Sequence, residues 1–346
     1  MAPNLGTAPR AELNADPARI SAASFSQLAT CSGLSERDWV VNKVLVPSLQ
    51  AANRYELIRE NDACFAPARM FRDQWGIKPA QWQNFTRLLC GCRQLPVILL
   101  QNPSNQHSKS YEEMAQCYTI SYISRRLAKF SLSVEQVPIL AVCNFFSTED
   151  LKAMDEETRW KAVEASYKVT EDILAIMKPE VIICCQCVTL GIWAEAKTAG
   201  DDAKTRETWR PAQNRLARQL CSKILDAKAE RATPVDFRGH RAWAVKGFHP
   251  GYRRANPGEE PAVRRLFAEV FHPCGLWKTR LAVAKLQKMI DMTTAYISSL
   301  EVWWSEMGFI MHKKSPAGSN PYKISELEDI RLRLRSRLQM LERTKY

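Results

Sequence analysis

Four short apolar runs limit the folds open to this chain more than any other feature. They are LPVILLQN (95 to 102), VPILAVCNFF (137 to 146), PEVIICCQC (179 to 187) and RAWAVKGFH (241 to 249). Each is about strand length, rich in branched residues, and apolar at consecutive rather than alternate positions. A strand that is apolar on both sides must be covered on both faces. Between the runs lie helical patterns. One face carries Trp160, Val163, Tyr167, Leu174 and Met177, and another carries Leu216, Leu220 and Ile224. Buried strands alternating with helices predict an α/β, three-layer sandwich, with a four-stranded parallel sheet between helices over about residues 88 to 273.

The flanks divide the rest. Residues 1–33 read as a flexible N-terminal tail, and residues 34–275 as the α/β domain, with a helical lead-in (34–89) before the sheet core (90–275). Residues 276–346 read as a C-terminal helical hairpin: a long helix over 277 to 308, a turn at KSPAGSNP, and a last helix with Leu327, Ile330, Leu334, Leu338 and Leu341 at heptad-like spacing. These leucines pack on the preceding helix, or else form a dimer or hold a protein partner. No run of about eighteen apolar residues exists to span a bilayer. The first thirty residues lack the apolar core of a secretory signal, so a nuclear or cytoplasmic location is expected. A mitochondrial presequence is the alternative, with Glu12 and Asp16 against it.

Eleven cysteines, several inside apolar runs, fit a reducing compartment. Cys184 and Cys187 form a C-x-x-C, but in a strand they face opposite sides of the sheet, and no second well-spaced pair supports a metal site. Neither metal nor cofactor is expected. Charge points to a polyanion: of a formal +12, the stretch from Arg241 to Lys288 holds ten Lys or Arg against three Glu. No G-x-x-x-x-G-K-[ST] or G-x-G-x-x-G occurs, which weighs against a P-loop or dinucleotide enzyme acting on a phosphorylated small molecule.

Ligands of parallel sheets bind at the carboxyl ends of the strands. Three of the four runs end there in polar residues: Gln101-Asn102-Pro103-Ser104, Asn144 within CNFFST, and His249-Pro250-Gly251-Tyr252. Two amides and an imidazole are therefore expected at one rim.

This order of motifs and strands resembles the uracil-DNA glycosylase superfamily, over about 180 residues. It is closest to the mismatch-specific and single-strand-selective branch, with its G-x-N-P-G and H-P-S-P motifs. The chain departs from that pattern at Leu100, at Ser104 and at Gly251-Tyr252. The resemblance implies DNA repair chemistry: a uracil or related damaged base is flipped from DNA and its N-glycosidic bond is hydrolysed, without cofactor. Asn102 would position the attacking water, and His249 would donate to the base O2 as charge develops there. Asn144 would read the pyrimidine edge. Tyr111, Tyr118 or Phe145 would stack on the extruded base, since Met114 stands where the family has its aromatic. Ser104, His107 and Lys109, with Ser108, would grip phosphate, and Tyr252, Arg253 and Arg254 would contact DNA, Arg253 or Tyr252 as the wedge. The alternative is a catalytically inactive module of the same fold that binds nucleic acid or a protein partner.

Overall fold

The computed structural model describes residues 20–185, 219–220, 222, 224–251, 257–311 and 322–343. They form two compact units, Met1–Cys274 and Gly275–Tyr346. The first opens with α1 (Ala22–Cys31), whose N-cap Ser21 accepts from the Ser24 amide. Next come α2 (Glu36–Val40), a π-turn (Val41–Leu45) and α3 (Val46–Ala51). A two-residue strand, β1 (Leu57–Ile58), pairs antiparallel with β2 (Gly91–Cys92), bracketing α4 (Ala66–Trp75) and α5 (Pro79–Leu89). The tail read over residues 1–33 is thus corrected within its described part. Phe25 is 1% exposed, its ring 5.1 Å from Trp39 and 4.6 Å from Trp243. That aromatic burial holds α1 against the sheet.

Among the described residues the main sheet has five strands, not four, in the order β4-β3-β5-β7-β6. β3 is Val97–Leu100, β4 Ile139–Ala141, β5 Val181–Cys184, β6 Ala232–Phe237 and β7 His240–Lys246. β3 pairs in parallel with β4 and β5, and β5 with β7. The added strand, β6, runs antiparallel on the outer edge of β7. Its sequence, ATPVDF, holds a proline, which has no amide hydrogen to donate; an edge strand tolerates this because one side has no partner.

The connections are α6 (Tyr111–Ala115) and α7 (Tyr118–Ala128) between β3 and β4, then α8 (Thr148–Ala153) and α9 (Glu156–Met177) between β4 and β5. Before β6 comes α10 (Ile224–Lys228). One sheet face, with Val97, Leu99, Leu140, Ile182, Cys184, Ala242 and Ala244, joins Phe71, Phe85, Val163, Tyr167 and Ile173 in one buried cluster. Trp243, of opposite parity, meets Phe25 and Trp39. Burial on both faces is what the unbroken apolar runs require.

The last two helices are α11 (Glu260–Met311) and α12 (Tyr322–Arg343). The helix expected from 277 starts at Glu260 and carries Pro273 inside it. In the second unit, Leu286, Ile290 and Ile297 are buried, and a cavity of about 460 Å³ is lined by Ile290, Thr294 and Ala295 of α11 with Arg335 and Leu338 of α12. No described helix is long and apolar enough to cross a membrane.

Candidate functional site

After β3 the chain crosses to β4 on one side and returns to β5 on the other, so the strand order reverses between β3 and β5. Loops leaving the carboxyl ends of two such strands diverge and open a crevice. Leu99 of β3, Cys184 of β5 and Lys246 of β7 lie in one register row. Asn102 and His249 each stand three residues beyond that row, after strands that flank β5 on its two sides.

His249 is held closely. Gly247 N still donates to Cys184 O (3.0 Å), so the loop leaves the sheet only two residues earlier. The Gly251 amide then donates to His249 Nδ1 (3.0 Å). Because Nδ1 accepts, the ring proton of the neutral form is on Nε2, which makes that atom a donor. Burial pushes the imidazole pKa down to about 4, so the ring is neutral at physiological pH. A Cβ at Gly251 would lie 2.9 Å from Nδ1, and 3.7 Å from Thr119 Oγ1 in the first turn of α7. Only glycine lets the ring and the loop pack this way.

Asn102 is half-buried, its Nδ2 donating to Thr148 Oγ1 and to Pro103 O, both at 3.3 Å. Thr148 is fixed by a capping box: the Asp150 amide donates to Ser147 Oγ (3.1 Å), and the Ser147 amide to Asp150 Oδ2 (2.8 Å). Thr148 and Thr119 were not singled out from sequence; the S-T-x-D pattern of the capping box is the signal that marks Thr148 as the first residue of a helix.

Asn144 departs from expectation. It is 6% exposed; its Oδ1 accepts from the Ala141 amide (3.1 Å), and its Nδ2 donates to Thr170 Oγ1 on α9 (2.9 Å). Both ends of the amide are engaged inside the protein, so it tethers the end of β4 to α9 and does not read a pyrimidine edge from this position. Phe145 is likewise core: its ring lies 5.3 Å from Phe71, 4.7 Å from Phe85 and 6.2 Å from Trp82. Tyr111 has the Arg87 guanidinium over its ring at 4.1 Å, which occupies one stacking face. Met114 is fully buried, and Tyr118 is half-buried at the start of α7.

The loop after Asn102 is pinned from below by the buried Asn84 of α5. Its Nδ2 donates to His107 O and Lys109 O, both at 2.9 Å. His107 is pushed by burial to a pKa of about 4, so its ring is neutral near pH 7. Lys109 Nζ is 3.7 Å from Glu113, Ser108 Oγ donates to Asn105 O (2.8 Å), and Ser104 is exposed. Tyr252, Arg253, Arg254 and Cys187 lie outside the described residues. Among the described residues, no group of three or more His, Cys, Asp or Glu could hold a metal ion.

None of the known protein families matches the chain, and no curated protein does.

Proposed function

We propose that the chain is a DNA glycosylase-like protein that binds DNA at the carboxyl rim of its parallel strands, extrudes a uracil or related damaged base, and hydrolyses the N-glycosidic bond with water. One observation supports this reading above the others: His249 follows the carboxyl end of β7 with Nδ1 accepting from the Gly251 amide, which puts the ring proton of the neutral imidazole on Nε2. As the glycosidic bond breaks, negative charge gathers on the base O2, and a donor already aimed there lowers the barrier without reorganising. A neutral donor also matches the poorly basic O2, and the ring stays neutral down to about pH 4. Across the crevice, Asn102 and Thr148 offer an amide and a hydroxyl that orient a water. Neither is a strong base, so the reaction depends on stabilising the departing base anion. The fold is read here as the family's three-layer arrangement, with four parallel strands extended by β6.

The test is release of free base from a uracil-containing oligonucleotide. Wild type releases it, at a rate that does not fall between about pH 8 and 5 through His249, while the Asn102→Ala, His249→Ala double variant does not. Equal behaviour of the two proteins refutes the enzymatic reading.

Asn144 favours a second reading, in which the same fold binds nucleic acid without catalysis, since no amide is left at that position to recognise the base. Base release separates the two, since the second reading expects none; Asn144→Ala tests the structural role of the amide. Removing the side chain strands the part-buried Ala141 amide and costs about 1–3 kcal/mol of stability. In denaturant melts that loss appears under either reading, whereas the preference for uracil over cytosine is unchanged if Asn144 is structural.

A further inference from the structure

The last two turns of α7 and the start of α11 flank an open cavity of about 220 Å³, lined by Tyr122, Arg125, Arg126, Lys129 and Arg264. Four of these five residues are cations. Among the described residues one carboxylate, Glu260, serves the group: it pairs with Arg126 and lies 3.7 Å from Arg264. The Arg126 guanidinium also rests over the Tyr122 ring, 5.0 Å from its centre, so it is held in place before any ligand arrives. Arg125 and Lys129 are exposed and meet no carboxylate among the described residues. Cations near a helix C-terminus often serve only to offset the helix dipole. That accounts for Arg125, Arg126 and Lys129 on α7, but not for Arg264, which reaches the same space from another helix. The cavity is also smaller than the roughly 300–1,000 Å³ of pockets that enclose whole small molecules, so it suits an ionic head group.

We infer that this cavity binds a phosphate group, with Arg126 as the fixed donor fork and Arg125, Lys129 and Arg264 closing around the remaining oxygens. The phosphate belongs either to a nucleic-acid backbone or to a small phosphoester. The backbone fits the position: Thr119, beside Gly251 at the rim, is six residues before Arg125, a rise of ~9 Å along α7. That is about three nucleotides along one strand at ~3.4 Å each. This placement rests on the proposed function, whereas the phosphate chemistry of the cavity does not.

The test uses the full chain and two probes, a uracil-free DNA oligonucleotide and inorganic pyrophosphate. For the Arg125→Gln, Lys129→Gln variant, the slope of log affinity against log salt should become shallower by roughly 1.4–1.8, and by roughly 0.7–0.9 for Arg264→Gln alone, equally for unrelated sequences. Asn102→Ala with His249→Ala should leave that slope unchanged, so loss of base release and loss of phosphate binding are read separately. If only pyrophosphate binding weakens, the phosphate group is that of a small phosphoester, and the cavity's role stands. If helical content is retained in both variants and neither probe responds, the inference is overturned.

Discussion

A methyl group at Gly251 would sit 2.9 Å from His249 Nδ1, nearer than carbon packs against nitrogen, and the glycine is flanked there by Thr119. Gly251→Ala should therefore turn the imidazole out of line while leaving the sheet intact. Base release should fall roughly 10–100-fold, at or below the low end of the roughly 10²–10³-fold cost of losing one oxyanion donor outright, and the denaturation midpoint should change little. The same ring, with His107, also sets a pH dependence. Each has its folded pKa lowered by burial to about 4, below the ordinary 6.5. Above pH 6.5 neither the folded nor the unfolded state is protonated, and stability is unaffected. As the pH falls from 6.5 towards 4 the unfolded chain takes up protons that the folded chain does not, so stability declines. Urea midpoints should drop by the equivalent of roughly 1–3 kcal/mol per histidine over that window, and less in His107→Gln or His249→Gln. At this scale the sequence was informative about His249, because Pro250 and Gly251 limit where the ring can go. It was misleading about Asn144. A polar residue at a strand end looks like a ligand contact, and only the position of Thr170 on α9 shows that the amide is needed inside.

Elements were legible where a pattern repeats and obscure where a single partner decides. The unbroken apolar character of the parallel strands follows from burial on both faces and is visible in their composition. β6 lacks an unbroken apolar run, carries Pro234 and Asp236, and resembles a turn until its pairing with β7 is seen. Pro273 likewise reads as a stop, yet it sits inside α11; a buried neighbourhood of Val270, Phe271 and Cys274 outweighs one missing backbone hydrogen bond. Contacts between distant elements leave no local trace at all. Arg37 of α2, 2% exposed, pairs with Glu230 in the turn after α10 at 3.0 Å and with Glu269 of α11 at 2.6 Å, while Arg265 pairs with the same two carboxylates. Removing Arg37 would leave two acids in contact with only one surface arginine, in a region where unpaired charge is costly. Arg37→Ala should lower unfolding free energy by about 3–5 kcal/mol. Arg37→Met fills the volume but leaves the same acids unpaired, so equilibrium urea unfolding should place it close to Arg37→Ala; a loss under about 1 kcal/mol in both would show that the network does not contribute to stability.

For the whole molecule, the two units differ in how much each buries. Met1–Cys274 contains the sheet and its apolar cluster, whereas among the described residues of Gly275–Tyr346 the buried apolar side chains are Trp277, Leu286, Ile290 and Ile297. In the same unit Met292, Val302, Trp303, Leu332 and Met340 are each at least half exposed. Helices draw most of their stability from packing an apolar face, so a unit with so few buried positions should open at far lower free energy than the sheet. Native-state amide exchange should therefore show residues 280–300 and 325–340 exchanging well before β3, β5 and β7. The difference should persist when the rim is altered by Asn102→Ala, because no part of the catalytic proposal depends on the second unit. Protection of residues 280–300 equal to that of β5 would mean that this unit is stabilised by something beyond its own buried residues, and a rise in that protection with protein concentration would identify the source as a second copy of the chain.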